Sequence, residues 1–327
     1  MNEQMQMLME MMKGGFTSAQ RLLSSGMNVN ALRTNASLRK DEWKLLDDAI
    51  IAVARDRLVG YADLLSRGLT YTIANGLGTT ILESENVSDF NDAELSMDGA
   101  TKSDNDIVNY EVVGIPLPLL HKSYQIPIRK LAASRNRGES LDTTQAELAT
   151  RKIAEKQEAM LFTGTSSFAY GGYTIYGYTD FPSAQARSMG TSWATDSGVN
   201  IIADVLAAKQ LCINANQFGP YMLYVPTNCE TNLDNDYSTS KGDNTIRDRI
   251  LKIEGIQGVK VADKLANDTA ILVQMTKDNV RADIGLPLTN VQWDDVGGMI
   301  NKFKVMTITV PELRTDQDGN SGIVVIS

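Results

Sequence analysis

Apolar residues recurring at three- and four-residue steps divide this chain into helices and extended stretches. Trp43, Leu46, Ile50, Val53, Ala54 and Leu58 form one stripe beginning at Asp41, with Gly60 just beyond, which predicts an amphipathic helix. A longer helix is predicted over 142–162. Asp142, Thr143 and Thr144 offer caps, and Thr144-x-x-Glu147 has the spacing of a capping box. Ala146, Ala149, Ile153, Ala154 and Leu161 supply its apolar face, and Arg151, Lys152, Glu155, Lys156 and Glu158 read as its solvated, partly ion-paired side. Gly164 stands where a stop is expected. Shorter helical patterns run over 199–214 and 245–253.

Strand-like runs occupy 70–73, 79–82, 107–113, 221–225, 259–261, 270–273 and 302–310, and 322–326 closes the chain. Between 79–82 and 107–113 lies an acidic stretch that includes Asp89, Asp92, Glu94, Asp98, Asp104 and Asp106. No core can be built from it. A strand, a polar tip and a returning strand describe a projecting hairpin, of the kind stabilised by lying across a neighbour. A calcium loop is not the better account, since no glycine falls at the sixth position after Asp89. The turn at Asp316–Asn320 has its glycine at the fourth place and reads as a hairpin turn.

The first 30 residues are rich in methionine, with Met5, Met7, Met9, Met11 and Met12 among helix formers. Such a segment suits packing against a variable partner surface. From Asn28 to Lys40 the chain is polar and basic and reads as an extended arm.

Composition narrows the class. The 327 residues are 43% hydrophobic and 22% charged, as in a soluble globular protein of one large or two medium domains. No apolar run approaches the roughly 18–20 residues of a membrane span, and Glu3, Glu10 and Lys13 interrupt the N-terminal methionines, unlike a secretory signal. A net charge of −9 argues against gripping nucleic acid with the whole surface, but not against a container with a locally basic inner face. Cys212 and Cys229 read as two core thiols in a reducing compartment.

Candidate chemistry is sparse. His121 is the only imidazole, at the entry to an alternating strand, and reads as structural. The Tyr170–Tyr178 glycine run lacks Gly-x-Gly-x-x-Gly and a following helix, so it reads as a turn region. The 199–285 α/β unit has no Gly-x-Ser-x-Gly elbow or phosphate loop, and Asp234, Asp236 and Asp243 sit among asparagines and serines in what reads as an exposed loop. No catalytic, cofactor-binding or metal-ligating residue is expected, and no cofactor.

The order of pieces resembles the Hong Kong 97-type capsid fold, an α+β architecture. Leu38-Arg-Lys-Asp-Glu-Trp43 with Leu46-Asp47 is similar to the opening helix of its encapsulin and linocin-like branch. Leu117-Pro-Leu-Leu120 resembles the return limb of the extended loop, and Leu141-Asp-Thr-Thr144 through Met160-Leu-Phe-Thr-Gly164 the spine helix. Phe218–Pro226 resembles the core strand of the axial domain, so the likeness runs from about residue 35 to the end. It implies an N-terminal arm at 1–40, a peripheral domain at 41–78, 117–169 and 286–327, an extended loop at 79–116 and an axial domain at 170–285. It further implies a tailed-phage major capsid protein that assembles with itself into pentamers and hexamers around double-stranded DNA. It would reside in the virion after assembly in the host cytoplasm, without a membrane, with scaffolding, portal and decoration proteins as further partners.

The alternative within the family is an encapsulin shell enclosing protein cargo. The segment before Leu38 favours the phage subunit, because encapsulins typically start close to that helix. Arg33, Arg39 and Lys40 are the candidate inward-facing basic arm. Some relatives crosslink a loop lysine to a neighbour's asparagine. Lys102 is the lysine of the hairpin here, without a matching motif, and reads as a surface side chain.

Overall fold

The computed structural model describes residues 40–87, 110–137, 143–237, 244–295, 299–316 and 318–327, with Met97 and Ile107 between. The expected N-terminal arm and most of the hairpin tip lie outside the described residues.

Continuous apolar runs make the centre of a five-stranded sheet. β8 (Tyr221–Val225) and β10 (Ala270–Gln274) are buried at every position, as strands covered on both faces must be. The order is β7 (Gln185–Arg187), β13 (Ile323–Ile326), β10, β8, β9 (Ile256–Val261). One face carries α5 (Gly198–Asn214) and α7 (Ile246–Leu251), whose Ile201, Val205, Ala208 and Ile250 pack on Leu223, Val225 and Leu272. Ser197 caps α5 by accepting from Asn200 N–H, and Thr245 caps α7 from Asp248 N–H. The four-residue α6 (Glu230–Leu233) joins β8 to the loop ahead of α7.

A second sheet has the order β1 (Thr70–Thr72), β11 (Val280–Asp295), β12 (Ile300–Leu313), β4 (Leu120–Pro127). Three helices cover one of its faces: α1 (Lys40–Arg57), α3 (Ile128–Arg137) and the N-terminal half of α4 (Thr144–Thr163). Leu46, Ile50, Leu131, Ala146, Ala149 and Ile153 meet Ile126, Phe303 and Val305 there. Tyr124 stacks on Phe303 at 4.9 Å between ring centroids, with an interplanar angle of 10°. The C-terminal half of α4, with α2 (Val59–Ser66), packs on the other face of the five-stranded sheet through Leu161, Phe162, Tyr61 and Leu64.

Out of this body runs a two-stranded ribbon, β2 (Ile81–Val87) paired antiparallel with β3 (Tyr110–Pro116). A small hairpin, β5 (Thr165–Tyr170) and β6 (Tyr173–Ile175), sits at its base. Gly114 of β3 lies against the Tyr173 ring, and a Cβ there would meet Cε2 at 2.4 Å.

Several expectations change. The 16-residue β11 escapes a reading by alternation because Gly285 and Pro287 break it. The register slips between Ile284 and Leu286 and again between Leu286 and Thr289, and bulges reverse the phase of the pattern. Asp316–Asn320 does not close a hairpin, since β12 and β13 belong to different sheets. Asp316 instead accepts from Asp318 N–H at 3.1 Å and Asn320 N–H at 2.7 Å, an Asx-type turn. Gly322–Ile326, grouped by sequence with 286–321, pairs with β10 and β7 in the five-stranded sheet. No capping box forms at α4: Thr143 occupies the N-cap, its side chain makes no cap bond to a backbone N–H, and its hydroxyl donates to the Glu147 carboxylate.

The turn between β1 and the ribbon is fixed by backbone contact. A Cβ on Gly76 would stand 2.2 Å from Gly285 O, whereas one on Gly190 meets nothing within 4 Å. Gly76→Ala is therefore expected to destabilise by about 1–3 kcal/mol, as overpacking against backbone does. Gly190→Ala should change stability by less than about 0.5 kcal/mol, and denaturant unfolding of the two variants checks the contrast.

Candidate assembly surfaces

The ribbon buries little of itself. Glu83 and Glu85 on β2 share a face with Val112 and Tyr110 on β3, through the pairs Glu83↔Gly114, Glu85↔Val112 and Val87↔Tyr110. Tyr110 is 66% exposed and Val112 51%. An isolated two-stranded ribbon is marginal in water, and apolar residues grouped on a projecting face mark a contact surface. At its base lies a cleft of about 400 Å³, bounded by Gly114, Tyr173, Tyr176, Phe181, Glu312 and Arg314. Glu312 pairs there with Arg281 and, at 3.8 Å, with Arg314. The Arg281 guanidinium also covers the Tyr71 ring at 4.6 Å. Burial and the adjacent Glu312 charge hold the Asp283 carboxyl well above the usual range, against the lowering effect of Arg281 at 3.2 Å.

α4, α2 and the five-stranded sheet meet at one polar joint. Glu158 of α4 accepts from Gly60 N–H at 3.0 Å and Tyr61 N–H at 3.3 Å, closing the N-terminus of α2, whose own N-cap Leu58 offers no side-chain bond. Asp63, also on α2, accepts from Tyr224 Oη at 2.9 Å and pairs with Lys260 of β9. Glu158 was expected on the wet side of α4, yet it is 2% exposed. Its spacing from Ala154 and Leu161, four and three residues, places it on the apolar stripe, and that spacing was the available signal. The exposed side is carried by Arg151 and Lys152, both 2.9 Å from Glu155. Lys152, then Arg151, pull the Glu155 carboxyl down to about 2.

The remaining sequence candidates scatter. Arg33 and Arg39 lie outside the described residues, as do Lys102 and Asp243. Lys40 is the first residue of α1, its side chain likewise outside them. Asp234 pairs with Arg247 at 2.8 Å, and Asp236 bridges to Thr245 through the backbone. His121 is exposed on β4, opposite Met306. Cys212, on the buried side of α5, and Cys229 are sealed in the same core, where burial pushes their thiols up to about 12 and about 11. Among the described residues, no group of three or more His, Cys, Asp or Glu could hold a metal, and no helix is long and apolar enough to cross a membrane.

A long helix shared by two sheets, with a ribbon thrown out from one of them, is the Hong Kong 97-type capsid fold. The chain belongs to the Family of unknown function (DUF6260), which matches residues 30–326. It is similar to a virus-like particle from Pyrococcus furiosus, with TM-score 0.64 and 16% identity over 88% of this chain and 99% of that one. It is also similar to the capsid of Myoviridae Phage XM1, with TM-score 0.61 and 12% identity over 80% and 90%. In sequence it is 22% identical over 266 residues to the type 1 encapsulin shell protein EncA of Myxococcus xanthus (strain DK1622), covering 77% of this chain and 82% of that protein.

The joint makes stability depend on pH. Burial pushes the Glu158 carboxyl up to about 8, against the Tyr61 and Gly60 N–H groups that lower it, with Asp263 and Asp63 adding to the rise. Between the ordinary carboxylate range and about pH 8 the folded chain thus holds a proton that the unfolded chain releases. Stability is full below that range and falls as pH rises through 8. Glu158→Gln, which keeps an acceptor for the α2 N–H groups, is expected to flatten this fall in Tm. Glu158→Ala should cost about 1–3 kcal/mol at acid pH, because it strands buried donors.

Proposed function

We propose that this chain is a shell subunit: the major capsid protein of a phage head, assembling with itself into pentamers and hexamers around double-stranded DNA. The observation that carries the shell reading is the ribbon, an acidic element with exposed Tyr110 and Val112 and no core of its own. A projection of that kind gains its burial from a neighbour, and repetition over many copies lets individually modest contacts close a particle. The likeness to the capsid of phage XM1 supports the phage-head reading. In this reading 1–40 is the arm, 79–116 the extended loop and 170–285 the axial domain, joined by the strand at 323–326. Scaffolding, portal and decoration proteins would be its further partners. The subunit does no chemistry.

A second reading has support of its own. The likeness to EncA favours an encapsulin-type compartment that encloses protein. Particles isolated from cells expressing the chain alone, and separately from the organism that carries it, decide between the two. Closed shells by electron microscopy are expected in both preparations. Nuclease-protected DNA in the native particle supports the phage head, and a stoichiometric co-purifying protein without DNA supports the compartment. A chain that stays monomeric at high concentration overturns both.

A further inference from the structure

Along the whole sequence, Asn75 is the one asparagine followed directly by glycine. It lies in the turn that leads from β1 into β2, itself exposed while Gly76 is buried. Asparagine is a thermally labile residue, because the backbone nitrogen of the next residue can attack its side-chain carbonyl carbon. A following glycine, lacking Cβ, leaves that nitrogen unshielded. Here the packing demands the glycine, since a Cβ on Gly76 would stand 2.2 Å from Gly285 O. The residue that the turn requires is therefore the one that makes its neighbour reactive.

Hydrogen bonds prepare the turn for that attack. The main-chain oxygen of Asn75 accepts from Gly78 N–H at 3.1 Å, Thr79 N–H at 3.0 Å and the Thr79 hydroxyl at 2.9 Å. This oxygen belongs to the same peptide group as the Gly76 nitrogen. Donors placed on it stabilise the negative charge that develops as Gly76 N–H gives up its proton. The Gly78 N–H also reaches Asn75 Oδ1, at 3.1 Å, the oxygen that turns negative as the nitrogen adds to Cγ. Among the described residues, nothing accepts from Gly76 N–H and nothing engages Asn75 Nδ2. The attacking and leaving nitrogens are both unrestrained, and both oxygens that gather charge are met by donors.

We infer that Asn75–Gly76 is a self-modification site, at which the folded chain converts Asn75 to aspartate and isoaspartate. Gly76 N bonds to Asn75 Cγ, the Cγ–Nδ2 bond breaks, and ammonia leaves with the proton from Gly76 N–H. Water then opens the cyclic imide at Cγ to give aspartate, or at the main-chain carbonyl carbon to give isoaspartate. Neither step changes an oxidation state. The donors on the main-chain oxygen activate the second carbon, so isoaspartate is the larger product. Isoaspartate routes the main chain through the former side chain and lengthens it by a methylene, which lifts Gly76 off Gly285 at the root of the ribbon. This goes beyond the shell reading and does not depend on it.

The test incubates the full chain in mildly alkaline buffer, beside the same chain held unfolded in guanidinium chloride. Peptide mass spectrometry reads the conversion of amide to acid, and isoaspartyl methyltransferase labelling reads the isoaspartate. Folded wild type is expected to convert Asn75 ahead of every other asparagine, at least as fast as the unfolded chain does, with isoaspartate in excess. Asn75→Gln, whose longer side chain closes the ring poorly, should keep its amide, with circular dichroism as the folding control. Aged wild type should melt at a lower Tm than fresh wild type, and aged Asn75→Gln should not. If Asn75 stays intact in the folded chain, or converts more slowly there than in guanidinium chloride, the turn protects it and the inference fails. If Asn75 converts fully and the Tm does not move, the displacement of Gly76 is wrong.

Discussion

One helix has to satisfy two sheets, and the rest of the subunit is arranged around that requirement. The first half of α4 lays small side chains, Ala146 and Ala149, on the four-stranded sheet, which brings α1 and α3 in close beside it. Its second half turns larger groups, Leu161 and Phe162, toward the five-stranded sheet. Glu158 stands where the helix changes partners, and its carboxyl closes the end of α2. The result is a joint made of backbone donors and one buried acid, flanked by the edge-to-face contacts of Phe162 with Tyr178 and Tyr224. Such a joint is specific in direction, which packing alone is not.

Much of this was legible in the sequence, for definite reasons. β8 and β10 are short unbroken apolar runs bounded by polar residues, and a strand buried on both faces can hardly look otherwise. The ribbon was visible as two strand-like runs, 79–82 and 107–113, and β2 and β3 pair there. β11 was not visible, because Gly285 and Pro287 shift the phase of its side chains in the middle of the strand. Glu158 was missed because its type outweighed its position: a glutamate among lysines and arginines reads as solvated even when its spacing points inward. The separation of β12 from β13 could not be seen at all, because a turn motif reports the loop it closes and not the sheets it connects.

The relatives make the same point from outside. Identities of 12% and 16% accompany coverage of most of the chain by the same architecture. What persists at that distance is the path of the chain, with few individual residues. Contacts between subunits are free to diverge faster, because they need only match another copy of the same sequence.

The long hairpin of β11 and β12 has a mechanical side. Fourteen residues of strand extend about 45 Å, longer than the roughly 30 Å of the α4 helix packed on it, so the pair is the longest beam among the described residues. A beam whose ladder is interrupted yields at the interruption. In this subunit that place is the bulged stretch from Ile284 to Thr289, next to the turn where Gly76 rests on Gly285. Subunits at differently curved positions on a closed surface would differ by flexing there, and the ribbon, rooted beside the same turn, would swing with the bend.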